Sequence, residues 1–484
     1  MRVMLPAYIK MASLVGAALD VAKQCQSIFQ SHKAVIIATG VASVLALKVL
    51  LRLVQGAKVD LHALFGGPNR FLPFVGFIPK SLDHLCHALE IYADTYGGLY
   101  HIVRAQASVL EGSIICLRVT GMDVVVVSEP ELIRQVQDER PKTYIRSFNK
   151  HKIMPVPGMF NTEGEEWKRN RRLGAPAFND NNSDAMVPDM SEVALKLLKS
   201  LSQTGRIVWR PTEWLPLCTL DVLCVTTLGN DYNFLNPDSI SLGYRYNEVQ
   251  QAIADAMAGA GYIPWNLNPM IEKLHTGVRR LNRVCDEIIS ARRAEQQAGE
   301  TSGTDAILLD KLLHLDEEDL RGNLIAFLIA GSDTTAMAVS WCLYYLSLNP
   351  HIQAKARAEV DALGHDPKTK EDLNRLPYVE CCVLETLRLQ PPGVVLLHES
   401  VRDTFLVGKP IPSGTVVITL QRKAMLARSQ GGTTFKPERW FIPDSSEIDQ
   451  GRVRDHLAFG GGPRQCPGQN MAIREAMTII TPHP

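Results

Sequence analysis

One decapeptide near the C-terminus limits what this chain can fold into more than any other feature: Phe459-Gly460-Gly461-Gly462-Pro463-Arg464-Gln465-Cys466-Pro467-Gly468. Its glycines let the backbone approach another surface without Cβ clashes. Exposed N–H groups in such a turn can hydrogen-bond a thiolate and tune its electron donation, the control expected around a metal-bound sulfur. Arg464, two residues before the sulfur, can neutralise a carboxylate of a bound ligand. The loop thus reads as a device that brings one sulfur close to something large. The alternative is a glycine-rich surface turn with a stray cysteine.

The other cysteines do not compete with Cys466 for such a role. All ten (25, 86, 116, 218, 224, 285, 342, 381, 382 and 466) are scattered without a C-x-x-C pair, so neither a zinc site nor a disulfide framework is suggested. They read as reduced thiols, mostly small core residues. Lys+Arg 51 balance Asp+Glu 51 over 484 residues, and no arginine-rich run interleaves with aromatics, so no nucleic-acid footprint is present. A small apolar substrate suits the chain better.

Toward the N-terminus, Ala34 to Leu51 is mainly apolar and uncharged apart from Lys48 and reaches the ~18 residues needed to span a bilayer. Lys48, Arg52 and Lys58 follow the segment and Lys23 and Lys33 precede it, which places the bulk of the protein in the cytosol by the positive-inside tendency. A signal-peptide core or a buried helix is the competing reading. The resulting division is an N-terminal segment 1–33, a transmembrane anchor 34–52, a Pro/Gly hinge 53–80 and a catalytic domain 81–484. Leu99 to Val103 and Ile114 to Val127 read as strands of a small sheet, Val124 to Val127 most clearly. Most of the remainder is helical, including Val278 to Gln297 and Tyr378 to Leu389. Leu324 to Leu348 carries a single charge, Asp333, and is long enough for a second span. The polar group Ser332-Asp333-Thr334-Thr335 near its middle instead makes it a buried helix of about 36 Å.

Three further constellations bear on chemistry. Ala330-Gly331-Ser332-Asp333-Thr334-Thr335 sets an acid beside a hydroxyl, a pair suited to relaying protons in a dry site; alone, it is more often a bent or capped segment. Glu385 and Arg388 stand three apart on one helix face, by spacing alone a surface pair of little value. Trp167 and Arg171 stand one turn apart and offer two donors on one face; a basic amphipathic helix is the alternative.

Taken with the Cys466 loop, these elements resemble the cytochrome P-450 superfamily of eukaryotic microsomal haem-thiolate monooxygenases. The pattern F-x-x-G-x-R-x-C-x-G is met at Phe459, Gly462, Arg464, Cys466 and Gly468, and the A-G-x-D-T-T element at residues 330 to 335. The resemblance implies a mostly α fold with a small β-sheet subdomain behind an N-terminal transmembrane helix. It implies haem b with Cys466 on the iron, Asp333 and Thr334 delivering protons, and Trp167, Arg171, His398 and Arg464 reaching the haem propionates. Glu385, Arg388 and Arg439 would lock the proximal side. It further implies dioxygen and a lipophilic substrate, and an NADPH-dependent flavoprotein reductase as partner, since the chain shows no flavin or nicotinamide motif. Arg452 and Arg454 are candidates to steer that partner. The expected location is the endoplasmic reticulum membrane, with the catalytic domain facing the cytosol.

Two departures stand out. Gln421-Arg422-Lys423 occupies a stretch that is shortened between Thr419 and Phe435, and eighteen residues follow Cys466, where related chains continue into strands that close the pocket. A shortened chain is therefore expected, and a haem-binding form without turnover is the alternative function. The acid–threonine pair argues against a peroxide isomerase of the same fold.

Overall fold

The computed structural model of the chain describes residues 90–91, 99–110, 113–146, 157–203, 210–235, 269–299, 307–428 and 432–482, all within the unit Leu61–Pro484. Segment 1–33, the anchor 34–52 and the hinge 53–80 lie outside the described residues.

Helices dominate. In chain order the main ones are α1 (Pro130–Asp138), α2 (Gly164–Gly174), α3 (Val187–Gln203), α4 (Pro211–Leu223), α5 (Pro269–Ala298), α6 (Glu317–Leu348), α7 (Pro350–Leu363), α8 (Pro377–Leu389), α9 (Gln421–Arg428) and α10 (Gln469–Ile480). Beside them stands a five-stranded sheet in the order β1-β2-β7-β4-β3, built from β1 (Leu99–Leu110), β2 (Ser113–Val127), β3 (Tyr144–Arg146), β4 (Val395–Ser400) and β7 (Val416–Leu420). β5 (Thr404–Leu406) and β6 (Lys409–Ile411) form a separate hairpin. Both strands expected near residues 99–127 are present, and the Val124–Val127 run is fully buried where it pairs in parallel with Val416–Thr419. A strand buried on both faces tolerates such an uninterrupted apolar run.

Helix α6 is the spine. It starts seven residues before the expected Leu324 because Asp316 caps it, accepting from the Asp319 N–H at 2.9 Å. Glu317, Glu318 and Asp319 then place three acids at the positive end of its dipole. It is the described helix long and apolar enough to cross a membrane, yet Leu324, Leu328, Ala336, Val339 and Leu346 pack into one core with residues of α3, α4, α5, α8 and α10. That lateral packing is why its apolarity reads as burial. Two glycines set how closely neighbours approach. A Cβ on Gly322 would lie 2.2 Å from the Pro157 carbonyl oxygen, and one on Gly331 would lie 2.9 Å from Leu223 of α4. The departure at Gln421 resolves as α9, a helix that begins where β7 ends.

Candidate haem-thiolate site

The Cys466 loop is held open by its backbone. Gly460 and Gly462 have φ of +70° and +62°, a region costly for any residue with a Cβ. A Cβ at Gly462 would also stand 2.4 Å from the carbonyl oxygen of Gln137, at the end of α1. The Cys466 N–H closes the turn on the Phe459 carbonyl at 2.9 Å. Gly468, whose φ of −88° makes no such demand, caps α10, and its N–H bonds the Cys466 sulfur. Six other described cysteines are buried free thiols; Cys466 is exposed. Desolvation raises the thiol pKa, opposed by the Gly468 N–H, Arg171 and Arg146.

Around that sulfur the fold gathers cations from distant segments. Arg464 donates to the Met159 carbonyl at 3.2 Å and also bonds the Thr162 carbonyl and Glu163, while its guanidinium lies 4.2 Å above the Trp167 ring. Trp167 is buried on α2 together with Asn170 and Gly174. Arg140 stands 3.6 Å from Glu163 and is buried. The Arg146 N–H donates to the same carboxylate at 3.1 Å, and its guanidinium caps the Phe160 ring at 3.8 Å. Crowded burial pulls Arg464 down to about 10 and Arg146 down to about 9, with neighbouring guanidiniums adding to the effect. Burial also lowers Arg171, and proximity to Cys466 opposes this.

His398 is buried in β4, opposite Arg146 of β3, rather than solvated on the surface. Its Nε2 lies 3.3 Å from the Thr419 hydroxyl, and its Nδ1 has no hydrogen-bond partner among the described residues. Burial first, then Arg140 and Arg146, holds its pKa well below the usual histidine range. Arg140, Arg146 and Glu163 have no motif signal in the sequence. Arg146 reaches the site only because the β3–β4 register places it across from His398.

Asp333 and Thr334 stand on α6, apart from this charged cluster. Burial raises the Asp333 carboxyl pKa. Thr334 is exposed, and its hydroxyl donates back to the Ala330 carbonyl at 2.7 Å. Between α6 and the cluster lies a hub that sequence reasoning missed. Asn323 accepts the Met159 N–H at 2.8 Å and donates to Asn170 at 2.6 Å, so one buried amide ties α6, α2 and the turn that carries Arg464's acceptors. Phe178 and Phe327 pack 5.5 Å apart beside it.

Glu385 on α8 is fully buried. It accepts from Arg388 Nε and Nη2 at 2.9 Å each, Arg439 Nε at 2.8 Å and the Lys436 N–H at 2.9 Å. Trp440 Nε1 adds a fifth bond at 3.1 Å, which the charge pattern does not reveal. Arg388 also donates to the carbonyls of Gly432 and Thr434, pinning the chain that leads to the cysteine loop. With Glu385 and Arg388 buried and Arg439 partly buried, this cluster is not the surface pair that spacing alone suggests.

Residues 84–482 match the cytochrome P450 family. Cytochrome P450 4V2 of Rattus norvegicus is 30% identical over 363 residues, 67% of this chain and 66% of that protein. Cytochrome P450 4d1 of Drosophila melanogaster is 28% identical over 357 residues, 67% of this chain and 69% of its own length. A bifunctional cytochrome P450/NADPH–P450 reductase of Fusarium oxysporum is 26% identical over 439 residues, 84% of this chain and 38% of that protein. The match to the rat protein thus spans just under two thirds of its length. With most of its length matched, the chain belongs to the cytochrome P450 family, whose members bind haem b.

Proposed function

We propose that the chain is a haem-thiolate monooxygenase that inserts one atom of dioxygen into a lipophilic small molecule, using electrons from a partner reductase. The observation that carries this reading is the Cys466 thiol at the head of α10, where the Gly468 N–H, Arg171 and Arg146 converge and oppose the desolvation that raises its pKa. A helix N-terminus and nearby cations are the usual means of stabilising a thiolate.

The residues fit haem b. Buried Arg464 Nε, Arg140 Nε and Nη2, and His398 Nδ1 lack hydrogen-bond partners among the described residues, and Glu163 is the carboxylate that Arg140 and Arg464 share. A group bearing two carboxylates would satisfy these donors rather than crowd them. Cys466 would hold the iron, with Phe459, Gly462 and Gly468 shaping its loop, while Arg464, Arg171, Trp167, His398, Arg140 and Arg146 would bind the propionates. When bound, the haem supplies the oxygen chemistry, for which a thiolate ligand donates electron density. Asp333, its carboxyl raised by burial, holds a proton more readily than an exposed acid. Thr334 directs its own proton to Ala330 and so presents its oxygen outward as an acceptor. Together they would take protons from solvent and hand them on within a dry pocket.

Electrons would come from an NADPH-dependent flavoprotein reductase. The Fusarium relative carries an NADPH–P450 reductase in its own name, and exposed Arg452 and Arg454 offer positive charge for docking an acidic partner. We place the anchor at 34–52, the hinge at 53–80 and the catalytic domain 81–484 on the cytosolic face of the endoplasmic reticulum. The test is the carbon monoxide difference spectrum of the reduced full chain beside Cys466→Ala. A strongly red-shifted Soret band in the first and not in the second is expected. Absence of bound haem, or a band typical of histidine ligation, would overturn the proposal.

A further inference from the structure

Helix α4 grips α6 at the two residues immediately before Asp333. Thr219 and Leu223 are one turn apart and share a face of α4. Leu223 lies against Gly331, where only a missing Cβ allows the approach, and the Thr219 hydroxyl lies 2.9 Å from the Ser332 carbonyl oxygen. Both Thr219 and Ser332 are fully buried, so no water competes for this contact. The hydroxyl also stands 3.0 Å from the Leu215 carbonyl and 3.3 Å from that of Pro216. It has one proton to give, and Ser332 is its nearest acceptor.

The same stretch of α6 receives two more side-chain donors. Ser332 bonds the Leu328 carbonyl and Thr334 the Ala330 carbonyl, each at 2.7 Å. Hydroxyls donating into helix carbonyls compete with the helix's own ladder and bend it locally. Of the three, Thr219 alone comes from another helix, so it ties this stretch of α6 to α4.

We propose that Thr219 is a positioning residue for oxygen activation: by holding the Ser332 carbonyl from α4, it fixes the orientation of Asp333 and Thr334. This rests on the proton-delivery reading of that pair given above. The test compares full-length Thr219→Val, Thr219→Ser and Thr334→Val, each loaded with haem. The first readout is deuterium exchange of the amides of residues 333–337. The second is hydrogen peroxide released per NADPH oxidised with a purified NADPH-dependent flavoprotein reductase. One NADPH and a proton reduce dioxygen to peroxide; two NADPH and two protons reduce it to two waters, and misdirected protons favour the first course.

Loss of one buried hydrogen bond should speed exchange about fivefold in Thr219→Val and raise the peroxide fraction severalfold. Thr219→Ser should restore both, and Thr334→Val should raise peroxide at least as much. A raised peroxide fraction in Thr334→Val with none in Thr219→Val would overturn this inference and leave the proton-delivery reading intact. No change in Thr334→Val would remove that reading and this inference with it. Should Thr219→Val not accumulate, Thr219→Ala makes the same comparison. Failure of both to fold while Thr219→Ser behaves as wild type would assign Thr219 to folding alone and overturn the proposal.

Discussion

Replacing Glu385 by Gln keeps the side chain's shape and removes its charge, so its consequence can be worked from the hydrogen bonds. Oε1 accepts from Arg388 Nη2, Lys436 N–H and Arg439 Nε; Oε2 accepts from Arg388 Nε and Trp440 Nε1. Gln has one acceptor oxygen. Whichever way its amide turns, at least two buried donors face an NH2 group, and the guanidiniums of buried Arg388 and partly buried Arg439 lose their counter-charge. Breaking a buried ion cluster from one side commonly costs about 3 to 5 kcal/mol, so ~4 kcal/mol is expected here, close to a thousandfold in the folding equilibrium. The damage should begin at residues 432–441, which Arg388 and Arg439 tie to α8 through the Gly432 and Thr434 carbonyls. It should then reach the cysteine loop, because His456 bridges the Leu384 carbonyl and the Ala458 N–H at 3.2 Å each. Urea unfolding with limited proteolysis measures both effects. A Glu385→Gln protein within ~1 kcal/mol of wild type, with residues 432–441 still protected, would refute the assignment of this cluster as a lock.

Gly462→Ala should prevent haem retention, since it adds a left-handed residue costing about 1 to 2 kcal/mol and a Cβ 2.4 Å from the Gln137 carbonyl. Measured haem content decides it, and wild-type content would refute the close approach. Asp221 is buried and accepts the N–H groups of Phe234 and Leu235 at 2.8 and 3.0 Å; burial outweighs them and pushes its pKa up to about 6. A folded-state pKa above the unfolded value means its contribution is fully present in acid and is lost as pH rises through about 6. The stability of Asp221→Asn relative to wild type should therefore climb by about 2 kcal/mol between pH 4 and 7. A difference that stays flat with pH would show the carboxyl to be ionised throughout.

What a chain can announce about itself depends on how far apart the cooperating residues lie. The cysteine loop is legible because its chemistry is local: glycines with positive φ, a thiol and the start of a helix fall within ten consecutive residues. The helical core is legible for the same reason, since burial recurs at helical spacing along the C-terminal half of α6. The lateral packing that makes α6 a core helix comes from its neighbours, and a polar Ser-Asp-Thr-Thr group was the only local hint of it.

The charged floor of the site obeys a different logic. Glu163 meets Arg464 from 301 positions away, and Arg146 meets His398 only through the β3–β4 register, where a slip of one residue would turn both side chains to the other face. Arginines and glutamates are common enough that no spacing singles these out. The sequence by itself determined the sulfur, its loop and the helical class of the fold, because these follow from local backbone preferences and periodicity. Tertiary structure alone decided that Arg140 and Arg146 join Arg171 and Arg464 at this site, that the Trp440 indole bonds Glu385 and that Thr219 meets α6, because each contact joins segments whose proximity is set by packing and strand register rather than by order along the chain.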